Sequence, residues 1–187
     1  MDALTLLLNR RSLPKMVAPA PQGEALEAIL RAGLRAPDHA GLTPWRFIVS
    51  QEDGSQGDSR QKLADILVEA ANSDGADEAT IEKAGKSPFR APMVITVVAK
   101  VSQHDKVPVI EQHLSAGCAV QAMQLAAVAQ GFAGFWRTGK WAYHPVVRQA
   151  LGVEGDDMIV GFLYLGTPGC RDAKAPERDL AQFVEYL

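Results

Sequence analysis

The sequence predicts an α+β domain, or a three-layer arrangement, in which helices surround a small sheet. Two runs, Met93–Ala99 and Met158–Leu165, are apolar on both faces, which is typical of strands covered on both sides. Apolar residues recur at helical spacing in Gly23–Arg35, with charged residues on the opposite side. Because the strands lie far apart and do not alternate regularly with helices, a βαβ series is not expected.

The remaining elements follow from apolar periodicity and from the positions of glycine and proline. Helices are predicted at Met1–Asn9, Arg60–Ala71, Ala79–Lys86, Ile110–Gln130 and Pro145–Leu151, and strands at Trp45–Ser50 and within Gly131–Trp136. Loops or turns are predicted at Asp38–Pro44, Glu52–Ser59, Asn72–Glu78 and Gly166–Gly169. Without a repeat or a long linker, residues 1–187 are expected to form one domain.

The composition is that of an ordinary globular protein. Hydrophobic residues make up 47% and charged residues 22% of the 187 positions, so a core can form without disulfides or metals. The net charge of −3 argues against a nucleic-acid-binding or polybasic membrane-binding surface. Cys118 and Cys170 form no CxxC pair, and no targeting segment is evident, which together predict a cytoplasmic protein.

One stretch, from Gln112 to Trp136, contains no Asp, Glu, Lys or Arg and is long enough to cross a bilayer. Glutamines and alanines interrupt its apolar character, so we interpret it as a helix in a soluble core or a subunit interface. Ser115 and Cys118 are accordingly expected to be core residues and not nucleophiles.

Several common site types have no support in the sequence. There is no GxGxxG motif, no P-loop and no GxSxG elbow. The histidines lack metal-ligand spacing, so no metal site is expected. They are His39, His104, His113 and His144.

Three segments carry candidate binding residues. Arg10-Arg11-Ser12 follows a predicted helix, and its guanidinium groups and hydroxyl could bind a phosphate or could simply complement the helix dipole. The loop after Arg35, which contains His39, is either a binding loop or a solvated helix stop. Gly131–Gly139 is either a glycine-rich approach to a flat ligand or a hydrophobic turn.

Taken together and in this order, the segments resemble the nitroreductase family of FMN flavoproteins, in particular a short bacterial branch. The resemblance runs nearly end to end. The matching stretches are Arg10-Arg11-Ser12, Arg31–Gly33, Arg35–His39, Pro44-Trp45, Pro88–Pro92, Ser115–Val120, Ala126–Gly131, Trp136-Arg137 and Val160–Pro168.

The resemblance implies a three-layer α/β/α sandwich with a mostly antiparallel sheet and a domain-sharing homodimer with FMN at the subunit interface. Arg10, Arg11 and Ser12 would hold the phosphate and the ribityl chain, and Arg35 and His39 would reach the same flavin from the partner. The isoalloxazine would be lined by Trp136, Arg137 and Thr138. Arg35 and Arg137 are candidates for stabilising negative charge on the reduced ring.

The resemblance also implies a pyridine nucleotide site, NADPH or NADH, formed by Ala126, Ala127, Val128, Ala129, Gln130 and Gly131. Arg171 or Lys174 would add charge near the phosphate. Two departures stand out: Thr138 replaces a common serine, and Leu42 and Thr43 replace the Asn and Gln often found before Pro-Trp. The second departure argues against classical nitroaromatic turnover.

The function expected from the resemblance is ping-pong hydride transfer from NAD(P)H through FMN to a small acceptor, such as a nitro compound or a quinone. Two alternatives stay open. One is a non-catalytic flavin- or nucleotide-binding dimer, and the other is a flavin reductase whose acceptor is not a nitro compound.

Overall fold

A computed structural model describes residues 2–53, 57–170 and 178–187. The helices are α1 (Ala3–Asn9), α2 (Gly23–Gly33), α3 (Ser59–Ser73), α4 (Glu78–Lys86), α5 (Val109–Ala129), α6 (Lys140–Tyr143) and α7 (Pro145–Ala150). The strands are β1 (Met16–Val17), β2 (Arg46–Asp53), β3 (Gly57–Asp58), β4 (Met93–Ala99), β5 (Ala133–Arg137) and β6 (Met158–Pro168). Short 3-10 turns lie at His39–Gly41, Ser87–Arg90 and Leu180–Gln182.

The sheet is built on β4, which lies between β2 and β6 and runs antiparallel to both. Ile95, at its centre, pairs with Val49 on β2 and with Leu163 on β6. Strand β5 pairs with the other side of β6, and β1 and β3 extend the sheet at its ends. The expectation of two strands covered on both faces is confirmed, since every residue of β4 is buried, as is every residue of the Met158–Leu165 run in β6 except Met158.

Helices cover both faces of the sheet, so the three-layer prediction is confirmed. Helices α2 and α5 pack on one face. The other face carries α3, α4, α6 and α7, whose apolar residues meet β4 and β6 in a second core. Gly33 of α2 permits close contact with α5, because a Cβ there would lie 2.9 Å from the Met123 side chain.

Helix α5 is buried on one side only. Ala116, Val120 and Met123 face the sheet, whereas Ile110 and Leu114 are 60% and 62% exposed. Cys118 continues this exposed row four positions further on, so the expectation that it is a core residue is wrong. A straight helix laid on a sheet can bury only the stripe that faces it.

The described part of the chain contains no helix that is both long enough and apolar enough to cross a bilayer. The charge-free stretch from Gln112 to Trp136 instead forms most of α5 and most of β5.

Some short elements were not predicted. Gly166–Gly169 was expected to be a turn, but β6 continues to Pro168 because Met16 and Val17 pair with its last residues. Within Glu52–Ser59, Gly57–Asp58 forms a hairpin strand with the end of β2. A two-residue strand has no periodicity, so its sequence carries no signal that distinguishes it from a turn.

Candidate functional site

Arg10 and Ser12 follow helix α1 and lie at the edge of the sheet. The helix ends at Asn9, and Arg10 takes an extended conformation with φ −54° and ψ 132°. Nη1 of Arg10 donates to Oγ of Ser12 at 3.3 Å. Ser12 in turn forms a parallel β-bridge with Gly134 of β5. A guanidinium and a hydroxyl are thus held together beside an edge strand, which suits an anionic group.

Arg11 points elsewhere. It donates to the carbonyl oxygen of Arg10 at 3.1 Å and lines a cavity of about 250 Å³ at the end of α5. Val128 and Gly131 line the same cavity. The structure therefore separates Arg11 from Arg10 and Ser12 and places it beside part of the segment expected to bind nicotinamide.

The side chains of Trp136 and Arg137 lie on opposite faces of the sheet. The Trp136 indole packs on the α5 face, where its N–H donates to the carbonyl oxygen of Val160 at 3.2 Å. The absence of a side chain at Gly161 makes room for it, since a Cβ there would lie 2.2 Å from the indole nitrogen. Trp136 can therefore reach a ligand on the opposite face only through its backbone.

Arg137 and Thr138 line a larger cavity, of about 310 Å³, on the opposite face from α5. The guanidinium carbon of Arg137 lies 4.0 Å from the centroid of the Phe135 ring and 5.6 Å from that of Tyr164. Cation–π contacts of this kind hold the charged group over the sheet. The full lining comprises Leu63, Leu67, Thr80, Lys83, Ala84, Ser87, Arg90, Arg137, Thr138, Lys140, Trp141, Phe162 and Tyr164.

Sequence reasoning missed most of this cavity. Lys83 and Arg90 lie in it, at the end of α4 and in the turn that follows. Arg90 belongs to the Pro88–Pro92 stretch, which carried the family resemblance but received no role. Lys83 gave no signal, because a lysine in the last turn of a helix ordinarily complements the helix dipole.

The positive charges around the cavity affect the pKa of the Tyr164 phenol. Burial raises the pKa of its phenol, and the positive charges of Arg137 and Arg90 and a hydrogen bond from Ser87 oppose that effect. The phenol is accordingly protonated at neutral pH and able to donate a hydrogen bond.

Lys140, which lines the cavity, belongs to an ion-pair group with Asp74 and His144. Asp74 accepts from Lys140 Nζ at 3.1 Å and from His144 Nε2 at 3.0 Å. These two hydrogen bonds, that from His144 first, lower the pKa of the Asp74 carboxyl. Lys140 is thus neutralised locally.

His39 lies near the opposite end of α5 from Arg11. Nδ1 of His39 donates to Oε2 of Glu111, in the first turn of α5, at 2.7 Å. Asp38 shapes this loop by accepting from the backbone N–H groups of Leu42 and Thr43 at 3.1 and 2.7 Å. Arg35 is exposed just beyond α2.

The segment expected to bind nicotinamide offers few polar groups. The structure buries Ala127 completely, and the Gln130 side chain bonds to the carbonyl oxygens of Ala25 and Ala126. Arg171 and Lys174 lie outside the described residues. Among the residues that are described, no group of His, Cys, Asp or Glu could hold a metal ion.

Comparison with known proteins decides the family. The nitroreductase family matches residues 7–167 of the chain. The chain belongs to the nitroreductase family. A relative in that family, YdjA of Escherichia coli (strain K12), bears the provisional name NAD(P)H nitroreductase and is 55% identical over 188 residues that cover 100% of both chains. A Haemophilus influenzae protein of similar name is 44% identical and also covers 100% of both chains.

Solved structures of this family share the fold. A nitroreductase-like protein from Bacillus cereus superimposes with a TM-score of 0.82 at 21% identity, covering 100% of this chain and 96% of its own. A provisionally named nitroreductase from Desulfovibrio desulfuricans, solved in complex with FMN, gives a TM-score of 0.75 at 24% identity and covers 100% and 98%.

Proposed function

We propose that this chain is an FMN-dependent oxidoreductase that works as a homodimer and passes reducing equivalents from NADPH or NADH to a small acceptor. The expected acceptors are nitro compounds, quinones or similar molecules. The names of the relatives and the FMN complex of a structural neighbour support the reductant and the cofactor.

The observation that carries the proposal is the Ser12–Gly134 bridge. It sets the Arg10 guanidinium and the Ser12 hydroxyl at the same sheet edge as Arg137 and Thr138. From Gly134 to Arg137 the strand advances about 10 Å at 3.3 Å per residue. An anion site and a cavity with aromatic residues in its wall, separated by that distance, suit a phosphate joined to a flat ring by a five-carbon chain.

The residues therefore fit FMN and have distinct tasks. Arg10 and Ser12 would hold the phosphate, and the backbone of Trp136 to Thr138 would lie against the ring. Bound FMN would supply two-electron redox chemistry, accepting hydride from NAD(P)H and returning it to the acceptor in a separate, ping-pong half-reaction. Arg137 would stabilise negative charge near the ring, and the Tyr164 phenol would offer a hydrogen-bond donor.

Exposed apolar faces support a homodimer. In the part of the chain that the structure describes, Ile110, Leu114 and Cys118 form an exposed row on α5, and Leu4 and Leu8 of α1 are exposed as well. Large exposed apolar patches mark interaction surfaces.

The geometry of α5 supports a shared site. Glu111, which holds His39, and Val128, beside Arg11, are separated by about 25 Å at 1.5 Å per helical residue. In a two-fold dimer the same patch of each protomer faces its copy. If the two α5 helices run antiparallel, the His39 end of one helix lies near the Arg11 end of the other.

The cellular setting is proposed from the thiols. Cys118 and Cys170 are exposed and unpaired, which fits the reducing cytoplasm.

Anaerobic reduction of purified protein tests the function. We expect protein reconstituted with FMN to be yellow, to bleach on addition of NADPH or NADH, and to regain its colour when a nitro compound or quinone is added. Flavin that binds but never bleaches with either nucleotide would favour a non-catalytic flavin-binding dimer. Protein that cannot bind FMN would contradict the proposal.

A further inference from the structure

Gln124 is a polar side chain enclosed in the apolar layer between α5 and the sheet. It is 2% exposed, and its neighbours on the inward side of the helix, Val120, Met123 and Ala127, are fully buried. Burial of an amide costs free energy unless a hydrogen bond replaces its contacts with water. The role of Gln124 therefore depends on the partner that it binds.

That partner is the backbone of Gly134, on β5. Nε2 of Gln124 donates to the carbonyl oxygen of Gly134 at 2.8 Å. Gly134 carries no side chain, and a Cβ there would lie 2.9 Å from Cγ of Gln124. The glutamine thus fills the space beside β5 that any side chain at position 134 would need, and it holds the strand by both packing and a hydrogen bond.

Gly134 also connects the interior to the proposed phosphate site. Its backbone forms the parallel bridge with Ser12, whose Oγ accepts from Nη1 of Arg10. Helix α1, which precedes this pair, buries none of its residues within the described chain. The segment is therefore anchored on its other side, at the bridge to Gly134 and at the buried Leu13.

We propose that Gln124 is a positioning residue for the phosphate site. By holding Gly134 from the interior, it sets the place at which Ser12 meets the sheet edge and hence the place of the Arg10 guanidinium. Gln124 itself would touch no ligand. Binding groups act best when supporting contacts fix their geometry in advance. This inference rests on the proposed function, because it concerns the residues that would hold the FMN phosphate.

A second glutamine of α5 provides a matched control. Gln112 is 1% exposed, accepts from the Ser102 N–H and donates to the Ser102 carbonyl oxygen, both at 2.8 Å. It lies about 18 Å from Gln124 along the helix, at 1.5 Å per residue. Loss of a buried hydrogen bond should thus destabilise either variant, but only a change at Gln124 should affect the phosphate site.

Titration with two flavins gives the first test, because FMN and riboflavin share the ring and only FMN has the phosphate. Methionine matches the length of glutamine but cannot donate. We expect Gln124→Met to lower FMN affinity by about three- to tenfold, as loss of one hydrogen bond would, and to leave riboflavin affinity within about twofold. Gln112→Met should preserve the ratio of the two affinities. An unchanged ratio in Gln124→Met, or an equal change in Gln112→Met, would overturn the inference.

Arg10→Ala supplies the second test, because a positioning residue acts only through the group that it positions. Once the guanidinium is absent, Gln124→Met should lower FMN affinity by less than about twofold, so that the two substitutions are not additive. Fully additive losses would show that Gln124 affects flavin binding by another route, and the inference would be wrong.

Gln124→Glu tests the hydrogen bond in a variant of the same length, and it also serves if Gln124→Met does not fold. The new carboxyl can donate to Gly134 only while it is protonated, and burial favours that form by raising its pKa. We expect the FMN-to-riboflavin ratio to equal that of the unaltered protein at about pH 5 and to fall about three- to tenfold below it at about pH 9. A ratio that is already lost at the lower pH, or that does not fall at the higher one, would contradict the proposed hydrogen bond.

Flavin binding by the unaltered protein separates this inference from the proposed function. If that protein binds neither FMN nor riboflavin, the proposed function fails, and the inference fails with it. If it prefers FMN to riboflavin and Gln124→Met keeps that preference, only the inference fails.

Discussion

Arg10 and Ser12 lie side by side, with Nη1 of the arginine 3.3 Å from Oγ of the serine. Both residues follow the end of α1 at Asn9, and the bridge from Ser12 to Gly134 places them at the edge of the sheet. This pair is the part of the proposed site that a phosphate would touch, so it gives the most direct test of the cofactor.

We predict that Arg10→Ala weakens FMN binding by about 10- to 100-fold, because a charge-assisted hydrogen bond contributes about 1.5–3 kcal/mol. Riboflavin has the ring but no phosphate, so its affinity should change little. Fluorescence titration of both flavins measures the difference. Arg31→Ala, an exposed arginine paired with Glu27, is the control. Equal losses for FMN and riboflavin would contradict a phosphate site at Arg10.

The placement of His39 in the partner's site can be tested by complementation. Arg10→Ala and His39→Ala protomers each lack one side of a shared site. A mixed dimer would contain one intact site, built from the unaltered Arg10 of one protomer and the unaltered His39 of the other. We therefore predict that refolding the two variants together restores tight FMN binding at about one site per mixed dimer.

Mass spectrometry of the mixed dimer and flavin titration provide the measurement. Each variant refolded alone is the control and should bind FMN weakly. If both residues instead bound a flavin within one protomer, every site in the mixed dimer would contain one substituted residue. FMN binding would then not recover.

Leu114 is predicted to lie at the dimer interface. Its side chain is 62% exposed in one protomer, so Leu114→Lys should leave the fold intact. Burying a lysine against the partner without a partner charge is costly, so the variant should sediment as a monomer and lose FMN affinity. Gln149→Lys places the same charge on an exposed position of α7 and should remain dimeric. A dimeric Leu114→Lys would place the interface elsewhere.

Gly161 is predicted to be essential for the packing of Trp136. A Cβ there would lie 2.2 Å from the indole nitrogen and 2.8 Å from the carbonyl oxygen of Arg137, so Gly161→Ala should destabilise the protein by about 1–3 kcal/mol. Gly117→Ala is a matched control on the other side of the same indole. There a Cβ meets Trp136 at 3.7 Å, an ordinary contact, and alanine favours the helix.

Urea unfolding monitored by tryptophan fluorescence distinguishes the two variants. Gly161→Ala should lower the midpoint and alter the native emission, whereas Gly117→Ala should do neither. A midpoint unchanged by Gly161→Ala would mean that the strand can shift without cost.

Asp157 should make stability depend on pH. Its carboxylate is 4% exposed; burial raises its pKa, but hydrogen bonds from Lys100 at 2.7 Å and from the Val101 N–H at 2.8 Å outweigh burial and leave the pKa below its ordinary value. A lowered pKa in the folded state means that the stabilisation is complete above about pH 4, the unfolded value, and disappears as the pH falls through the folded value.

We therefore predict that Asp157→Asn costs about 1–3 kcal/mol at pH 7 and progressively less below about pH 4. Thermal unfolding from pH 3 to pH 8 measures this difference, and Asp156→Asn, at the exposed neighbouring position, is the control. A loss that is independent of pH would show that the charge of Asp157 does not contribute.

The parts of the fold that the sequence predicted are those with long runs or regular spacing of apolar residues. Met93–Ala99 was predicted with its observed bounds, because a run that is apolar on both faces leaves few alternatives. Met16–Val17 could not be predicted, since its pairing with β6 depends on contacts about 150 residues away in the sequence. The exposed state of Cys118 was missed because composition does not show which stripe of a helix meets the sheet.

The candidate site also has residues that the sequence predicted and residues that it did not. Arg137 and Thr138 were predicted to act together, and the structure places both on one cavity. Lys83 and Arg90 reach that cavity from elements that pack only in the folded chain, so no local pattern indicated Lys83, and the Pro88–Pro92 stretch gave Arg90 no role. The opposite orientations of Trp136 and Arg137 follow from strand alternation, but only the folded sheet shows which face carries the cavity.

Helix α1 buries none of its residues within one protomer, although Arg10 immediately follows it. The proposed anion site thus follows an element whose apolar residues, including Leu7, are exposed in the described part of one protomer and would be covered by the proposed partner. Cofactor retention should then obey mass action: diluting the holoprotein below its subunit dissociation constant should release the flavin, even though Arg10, Ser12 and Arg137 all belong to one chain.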